Sequence, residues 1–343
     1  MDDIELTELL NELPENPGAT DYRRVALNLI PYVEAKVPPM GGNQTATRLR
    51  FVTAVARHDL GLARLIEGHL DASQILKEAN APIASGKLYA VWAAGGPSDT
   101  TAIEEPETGK EAIRITGSKP FCTGSDLVDR ALVYVYPQDQ LVDVDLRAPE
   151  PPEALSFQAG QWISPAFAET HTWTVRFDAL RIPSARCIGA KRWYFDRPGF
   201  CLGAFAPAAC WAGGAMGLVD AVRRRPLRNG HARAHLGAMV AAACSMDSIL
   251  TWGAEQIDAD PGNSSGTMFP TALVVRHLIE RTCTEILDRF GRTLGPRPFA
   301  FEPNTARRIA ELTLYIRQCH AECDLEELGA YVEQNPTFGS ARP

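Results

Sequence analysis

Residues 112–136 read AIRITGSKPFCTGSDLVDRALVYVY, and no single helix can absorb that pattern. Ile113 and Ile115 alternate with polar neighbours, while 131–135 is an unbroken apolar run; these are the marks of half-buried and fully buried strands. Gly117-Ser118 and Gly124-Ser125 supply turn residues between them. The spacing predicts a strand, a tight turn, a short strand over 119–123, a loop and a third strand. Residues two apart on a strand share a face, so Phe121 and Thr123 would present a ring and a hydroxyl together. A planar ligand would find a stacking surface and a hydrogen-bond donor there; a plain hairpin with a buried Phe and an exposed Thr is the simpler reading.

The chain is 343 residues long, enough for two or three packed units. Its 45% hydrophobic and 22% charged residues fit an ordinary globular protein. A net charge of -8, with Arg223-Arg224-Arg225 the only compact basic run, argues against nucleic acid as a partner. No stretch approaches the roughly 20 uninterrupted apolar residues of a membrane span. The acidic start Met1-Asp2-Asp3 is unlike a signal peptide, so a cytoplasmic protein with no membrane partner is expected. Eight cysteines lack paired zinc spacing and read as reduced core thiols.

In chain order, helices are expected over 3–13, from Thr20 or Asp21 to the Pro38-Pro39 break, and as one long apolar helix from Phe51 to Leu76. Helical character stops at 82–86. Strands follow, with a small-residue loop over 93–99, a polar loop over 139–152 and alternating strands at 173–178 and 180–183. Helices over 201–222, 232–258, 268–290 and 304–334 then make a four-helix count. The Ala- and Gly-rich 201–222 has no Gly-x-Gly-x-x-Gly, which excludes a dinucleotide-binding reading. His231 and His235 share a helix face without a zinc-peptidase glutamate or a third ligand, so no metal site is expected. The fold class is therefore α+β, with a helical domain over 1–86, a β-domain over 87–192 and a helical bundle over 193–343.

Three segments together resemble the acyl-CoA dehydrogenase superfamily. Gly117-Ser118-Lys119 followed by Phe121-Cys122-Thr123 is similar to that family's Gly-x-Lys turn and aromatic-x-Thr/Ser strand. Phe177-Asp178 with Ile182-Pro183, closed by Ile188-Gly189, is similar to the end of its middle domain. Ser98-Asp99 matches the end of its Thr-Glu-Pro-x-x-Gly-Ser-Asp loop, with Trp92-Ala93-Ala94 standing in place of Thr-Glu-Pro. The resemblance implies a helical N-terminal domain, a central β-barrel-like domain and a C-terminal four-helix bundle. It implies FAD as cofactor, with Ser98, Phe121 and Thr123 at the flavin, Arg225 and Arg228 toward its pyrophosphate, and Gly295 in a glycine-rich turn reaching FAD across a subunit interface. A homodimer or homotetramer follows from the same resemblance.

The departures bear on chemistry. At the family's two usual positions for the catalytic glutamate this chain has Gln318-Cys319-His320 and Ala206-Pro207-Ala208, with no carboxylate. His320 and Glu322 are the candidate catalytic bases, with Asp324 nearby. The function expected first is a FAD-dependent α,β-oxidation of an acyl thioester or a similar small molecule, with hydride transfer to flavin. The alternatives are a flavin-dependent monooxygenase of the same fold, using Thr123 and His320, and a non-catalytic relative.

Overall fold

The computed structural model describes every residue except 1–2, 12–18, 96–100, 105–111, 137 and 341–343. It divides into two compact units, 1–37 with 61–200, and 38–60 with 201–343. This division cuts across the chain order of helices, strands and helices, because one early helix counts with the C-terminal ones.

The first unit holds α1 (Asp3–Asn11), α2 (Ala19–Lys36), α4 (Leu60–Glu78) and two four-stranded sheets. One sheet is ordered β1 (Tyr89–Trp92), β4 (Arg130–Val135), β5 (Gln140–Asp145), β8 (Cys187–Ile188), with β1 and β4 parallel and the other pairs antiparallel. The other is ordered β2 (Thr101–Glu104), β3 (Ala112–Cys122), β7 (Trp173–Pro183), β6 (Leu155–Gln158), all antiparallel. The apolar run of β4 is buried throughout. Leu132 and Tyr134 from it join Tyr89, Leu141, Ile75 and Leu76 in one core cluster that packs α4 on the first sheet. Each such Leu or Ile stabilises the fold by about 1.5–3 kcal/mol.

Three strand expectations change. Residues 112–122 form one continuous strand, because Gly117 (φ 127°) sits at an irregularity in its pairing with β7 and does not turn the chain back. Residues 173–183 are likewise one strand, which passes Ala179 (φ 52°) with its N–H donated to Thr116 Oγ1 at 3.1 Å. Within the supposed polar loop 139–152, residues 140–145 form β5. Its Asp143 is buried because Arg130 Nε, on the paired strand, donates to it at 2.9 Å and Arg186 Nη1 at 3.2 Å.

The second unit contains α3 (Thr45–His58), α7 (Phe205–Arg223), α8 (Gly230–Ala259), α9 (Met268–Leu294), α11 (Pro303–Tyr315) and α12 (Glu322–Gln334). Of the short helices, α5 (Trp193–Asp196) falls in the first unit, α6 (Gly199–Gly203) runs across the boundary at 200–201 and α10 (Arg297–Phe301) falls in the second. The single long helix expected from Phe51 to Leu76 is broken at Asp59, whose backbone is extended and whose carboxylate accepts from Arg307 Nη2 at 2.7 Å. The helix expected over 304–334 is broken too. It passes through a 3-10 turn, Ile316–Gln318, and Ala321 at φ 51°, and Asp324 Oδ2 accepts the His320 N–H at 3.0 Å.

Two helical stretches, 199–223 and α8, are long and apolar enough in composition to cross a bilayer. The first is 78% buried in its most apolar window and is a core helix, whereas α8 is only 28% buried. An apolar helix so exposed asks for a partner surface.

Candidate functional site

The end of β3 is shaped by a bulge. Its register with β7 shifts between Lys119, opposite Val175, and Cys122, opposite Trp173. Phe121 takes up the extra residue at φ 57°, a left-handed conformation that costs a bulky side chain and marks sites where the surroundings impose it. The ring is 54% exposed and meets Trp162 edge-on, centroids 6.0 Å apart. Cys122 points inward, where burial pushes its thiol pKa up.

Thr123 is half-buried and fixed on three sides. Its hydroxyl faces that of Thr172 at 3.3 Å, its carbonyl accepts from Trp92 Nε1 at 3.0 Å, and its N–H returns to the Phe121 carbonyl at 3.0 Å. The turn beyond is tight. Gly124 has φ 76°, and a Cβ there would meet Val128 Cγ1 at 2.7 Å. The bulge thus interrupts the alternation that would set Phe121 and Thr123 on one face: the ring stands in solvent and the hydroxyl is held beside Thr172. Below them Lys119 is fully buried, with Nζ 5.3 Å over the Tyr136 ring. His171 stacks on Trp173 (4.0 Å, 14°) while its Nδ1 contacts Asp126 Oδ1. Ser98 lies outside the described residues.

The other expected residues are spread over the second unit. Arg225 is engaged by Glu302, and that hydrogen bond holds the Glu302 carboxyl below the usual carboxylate range. Arg228 is exposed and has no polar partner among the described residues. Gly295 ends α9 at φ 67°, its N–H bonded to Gly291 O at 2.8 Å. The preceding 290–294 are the helix's last turn and not a glycine-rich loop. Among the described residues, nothing beyond its own chain neighbours comes within 4 Å of a Cβ built on Gly295, so its surface is open there.

His320 is exposed in the break before α12, with Nδ1 3.4 Å from the buried Asp324 Oδ1. Glu322 is exposed on the first turn of α12. The structure therefore pairs His320 with Asp324 and leaves Glu322 apart. The break is anchored by Arg276, which donates to the Gln318 carbonyl at 2.6 Å and the Ala204 carbonyl at 3.0 Å.

Trp92, Trp162 and Thr172 support the β3 bulge and were not picked out as site residues. Only Trp92 carried a sequence signal, since it stands where the resembled family has Thr-Glu-Pro.

No family model matches the chain, and no curated protein matches it in sequence. Solved structures do match. Dibenzothiophene monooxygenase TdsC from Paenibacillus sp. A11-2 superposes with a TM-score of 0.76 over 96% of both chains, at 14% identity. Methanesulfinate monooxygenase MsuC from Pseudomonas fluorescens gives 0.72 over 91% of this chain and 88% of its own, at 15% identity. Butyryl-CoA dehydrogenase from Megasphaera elsdenii gives 0.74 over 97% and 98%, at 13% identity. Across nearly its whole length, the chain has the acyl-CoA dehydrogenase-like fold.

Proposed function

We propose that the protein is a flavin-dependent oxidoreductase acting on a small organic molecule. The observation that carries this reading is the exposed Phe121 ring on a strained bulge, two residues before a Thr123 fixed by Thr172 and Trp92. An exposed aromatic face with a positioned hydroxyl fits a planar heteroaromatic ring, by stacking and one hydrogen bond. The likeness to FMN-bound TdsC supports a flavin in that role. FAD is the expectation from the sequence. With Arg225 held by Glu302, Arg228 is the exposed arginine of the expected pair, which suits the smaller phosphate demand of FMN.

The reaction favoured first is monooxygenation. A bound reduced flavin would supply two electrons to dioxygen, one oxygen atom entering the substrate and the other leaving as water. Neither expected base position holds a carboxylate, and the side chain found there is His320, backed by Asp324, which suits proton donation and return at Nε2. The α,β-oxidation of an acyl thioester is the second reading, favoured by the likeness to butyryl-CoA dehydrogenase, with Glu322 as its base. Oxygen uptake with externally reduced flavin, against anaerobic bleaching of bound flavin by a butyryl thioester, separates the two.

The first experiment is the visible spectrum of the purified protein after FAD or FMN is added and free cofactor removed. Retained flavin absorbance is expected, and Phe121→Ala is expected to weaken flavin binding about tenfold by removing the stacking face. Protein that stays colourless with both flavins would overturn the flavoenzyme reading and leave the non-catalytic one.

A homo-oligomer belongs to the same proposal, supported by the exposed, apolar α8. Light scattering is expected to give at least a dimer, and Ala241→Arg, on the exposed side of α8, to shift it toward monomer; a monomeric parent protein would sink the idea. None of the eight cysteines takes part in a disulfide, which supports a reducing compartment such as the cytoplasm.

A further inference from the structure

A cavity of about 200 Å³ opens in the second unit where α3, α7 and α8 meet. That is roughly seven times the share of one water in the liquid, room for a small metabolite and too little for a larger ligand. Its apolar wall is made by Leu49, Leu250 and Met216, the two leucines being buried. Its polar rim carries charges of both signs: Arg50 and Arg57 from α3, Asp247 from α8.

The state of these charges is informative. Arg57 is locked against Asp220, its Nε on Oδ2 and its Nη2 on Oδ1 at 2.7 Å, which leaves Nη1 as the unspent edge of a rigid fork. Arg50 and Asp247 have no polar partner among the described residues, although they line the same cavity. A guanidinium from α3 and a carboxylate from α8 that line one cavity and do not close on each other can each receive an ion from between them. Neither α3 nor α8 contains any residue assigned above to the flavin or to proton transfer.

We propose that this cavity is a second ligand site, for a small zwitterion with an apolar body such as an apolar amino acid. The carboxylate lies on Arg50 and the free edge of Arg57, the ammonium lies on Asp247, and the apolar body lies against Leu49, Leu250 and Met216. The site stands independently of the flavin reading and can be tested with or without cofactor.

The test is calorimetric titration of the full chain at low salt with L-leucine and L-phenylalanine. Isocaproate and isoamylamine serve as probes lacking the ammonium or the carboxylate. Saturable binding of the amino acids is expected, about tenfold tighter than either partial analogue. Arg50→Gln is expected to erase the preference for leucine over isoamylamine, and Asp247→Asn the preference for leucine over isocaproate. Both side chains are exposed and unpaired, so both variants keep the parent melting temperature. Absence of binding by either amino acid overturns the proposal, as does binding that both substitutions leave unchanged.

Discussion

Replacing Gly213 by alanine is expected to destabilise the protein by about 3 kcal/mol, the upper part of the range for overpacking a tight contact. Gly213 and Gly217 lie one turn apart on α7 and let the backbone of α3 come close. A Cβ on Gly213 would stand 2.6 Å from Ala56 Cβ and 3.0 Å from Arg57 N, and closer still to the Thr53 carbonyl oxygen. Two of those three atoms are backbone, so no rotamer change relieves them. The helix pair is also clasped from a third element. Arg308 of α11 donates to the Ala56 carbonyl at 3.0 Å and the His58 carbonyl at 2.5 Å, meeting carbonyls that the end of α3 leaves open. Pushing α3 away therefore also costs hydrogen bonds to a half-buried cation. Gly214→Ala is the control. The nearest atoms to a Cβ there are the ends of leucine side chains, at 3.1 Å from Leu60 and 3.4 Å from Leu312, which can shift, so the change should cost less than about 1 kcal/mol. Urea denaturation of the three proteins measures the difference; equal midpoints for the two variants would contradict the close α3–α7 contact.

That contact illustrates what the sequence does and does not carry. The small residues of 201–222 announce a close helix approach, but not which helix approaches. Strands β3 and β7 are legible because their side chains alternate, and it is their resemblance to a known family that singles out Phe121 and Thr123 as candidates. The bulge that turns Phe121 outward was not legible, since a bulge is a property of two strands in register and not of one segment. Residues 140–145 looked like a loop because Asp143 and Asp145 break the apolar pattern. Asp143 is tolerated in a strand because Arg130 and Arg186 meet it, and neither is adjacent in sequence. The break at Asp59 is hidden for the same reason: apolar residues continue on both sides, and its partner Arg307 lies 248 residues away. At the site, Trp92 and Thr172 act on Thr123 through tertiary hydrogen bonds that no local spacing encodes.

The second large effect is expected at Asp129, the residue just before β4. Its side chain is nearly buried, with Oδ1 accepting from Arg23 Nη2 at 2.7 Å and Oδ2 from the Leu88 N–H at 2.9 Å, while Arg147 Nε lies 3.4 Å from Oδ1. Its backbone N–H donates to the Leu88 carbonyl at 2.8 Å, and its carbonyl accepts from Leu146 N at 3.0 Å. One residue thus ties α2, the approach to β1 and the end of β5. Asp129→Ala leaves the Leu88 N–H unmet and takes the carboxylate from two arginines, which keep only the Leu127 and Asp126 carbonyls; it should cost about 3 kcal/mol, the low end for breaking a buried pair, because both arginines are partly exposed and water recovers some of the loss. Burial alone would raise the Asp129 pKa, but the hydrogen bonds from Arg23 and Leu88 and the charges of Arg23 and Arg147 outweigh it, so the net shift is downward. A folded-state pKa below the unfolded value, about 3.9 for aspartate, means that the carboxylate contributes stability above that pH. The contribution disappears as pH falls through the lowered folded-state pKa. Unfolding free energies measured at neutral pH and at steps below about pH 4 should therefore fall more steeply for the parent protein than for Asp129→Asn, whose amide does not titrate. Parallel curves through that window would mean that the acid sensitivity of the fold resides in other carboxylates.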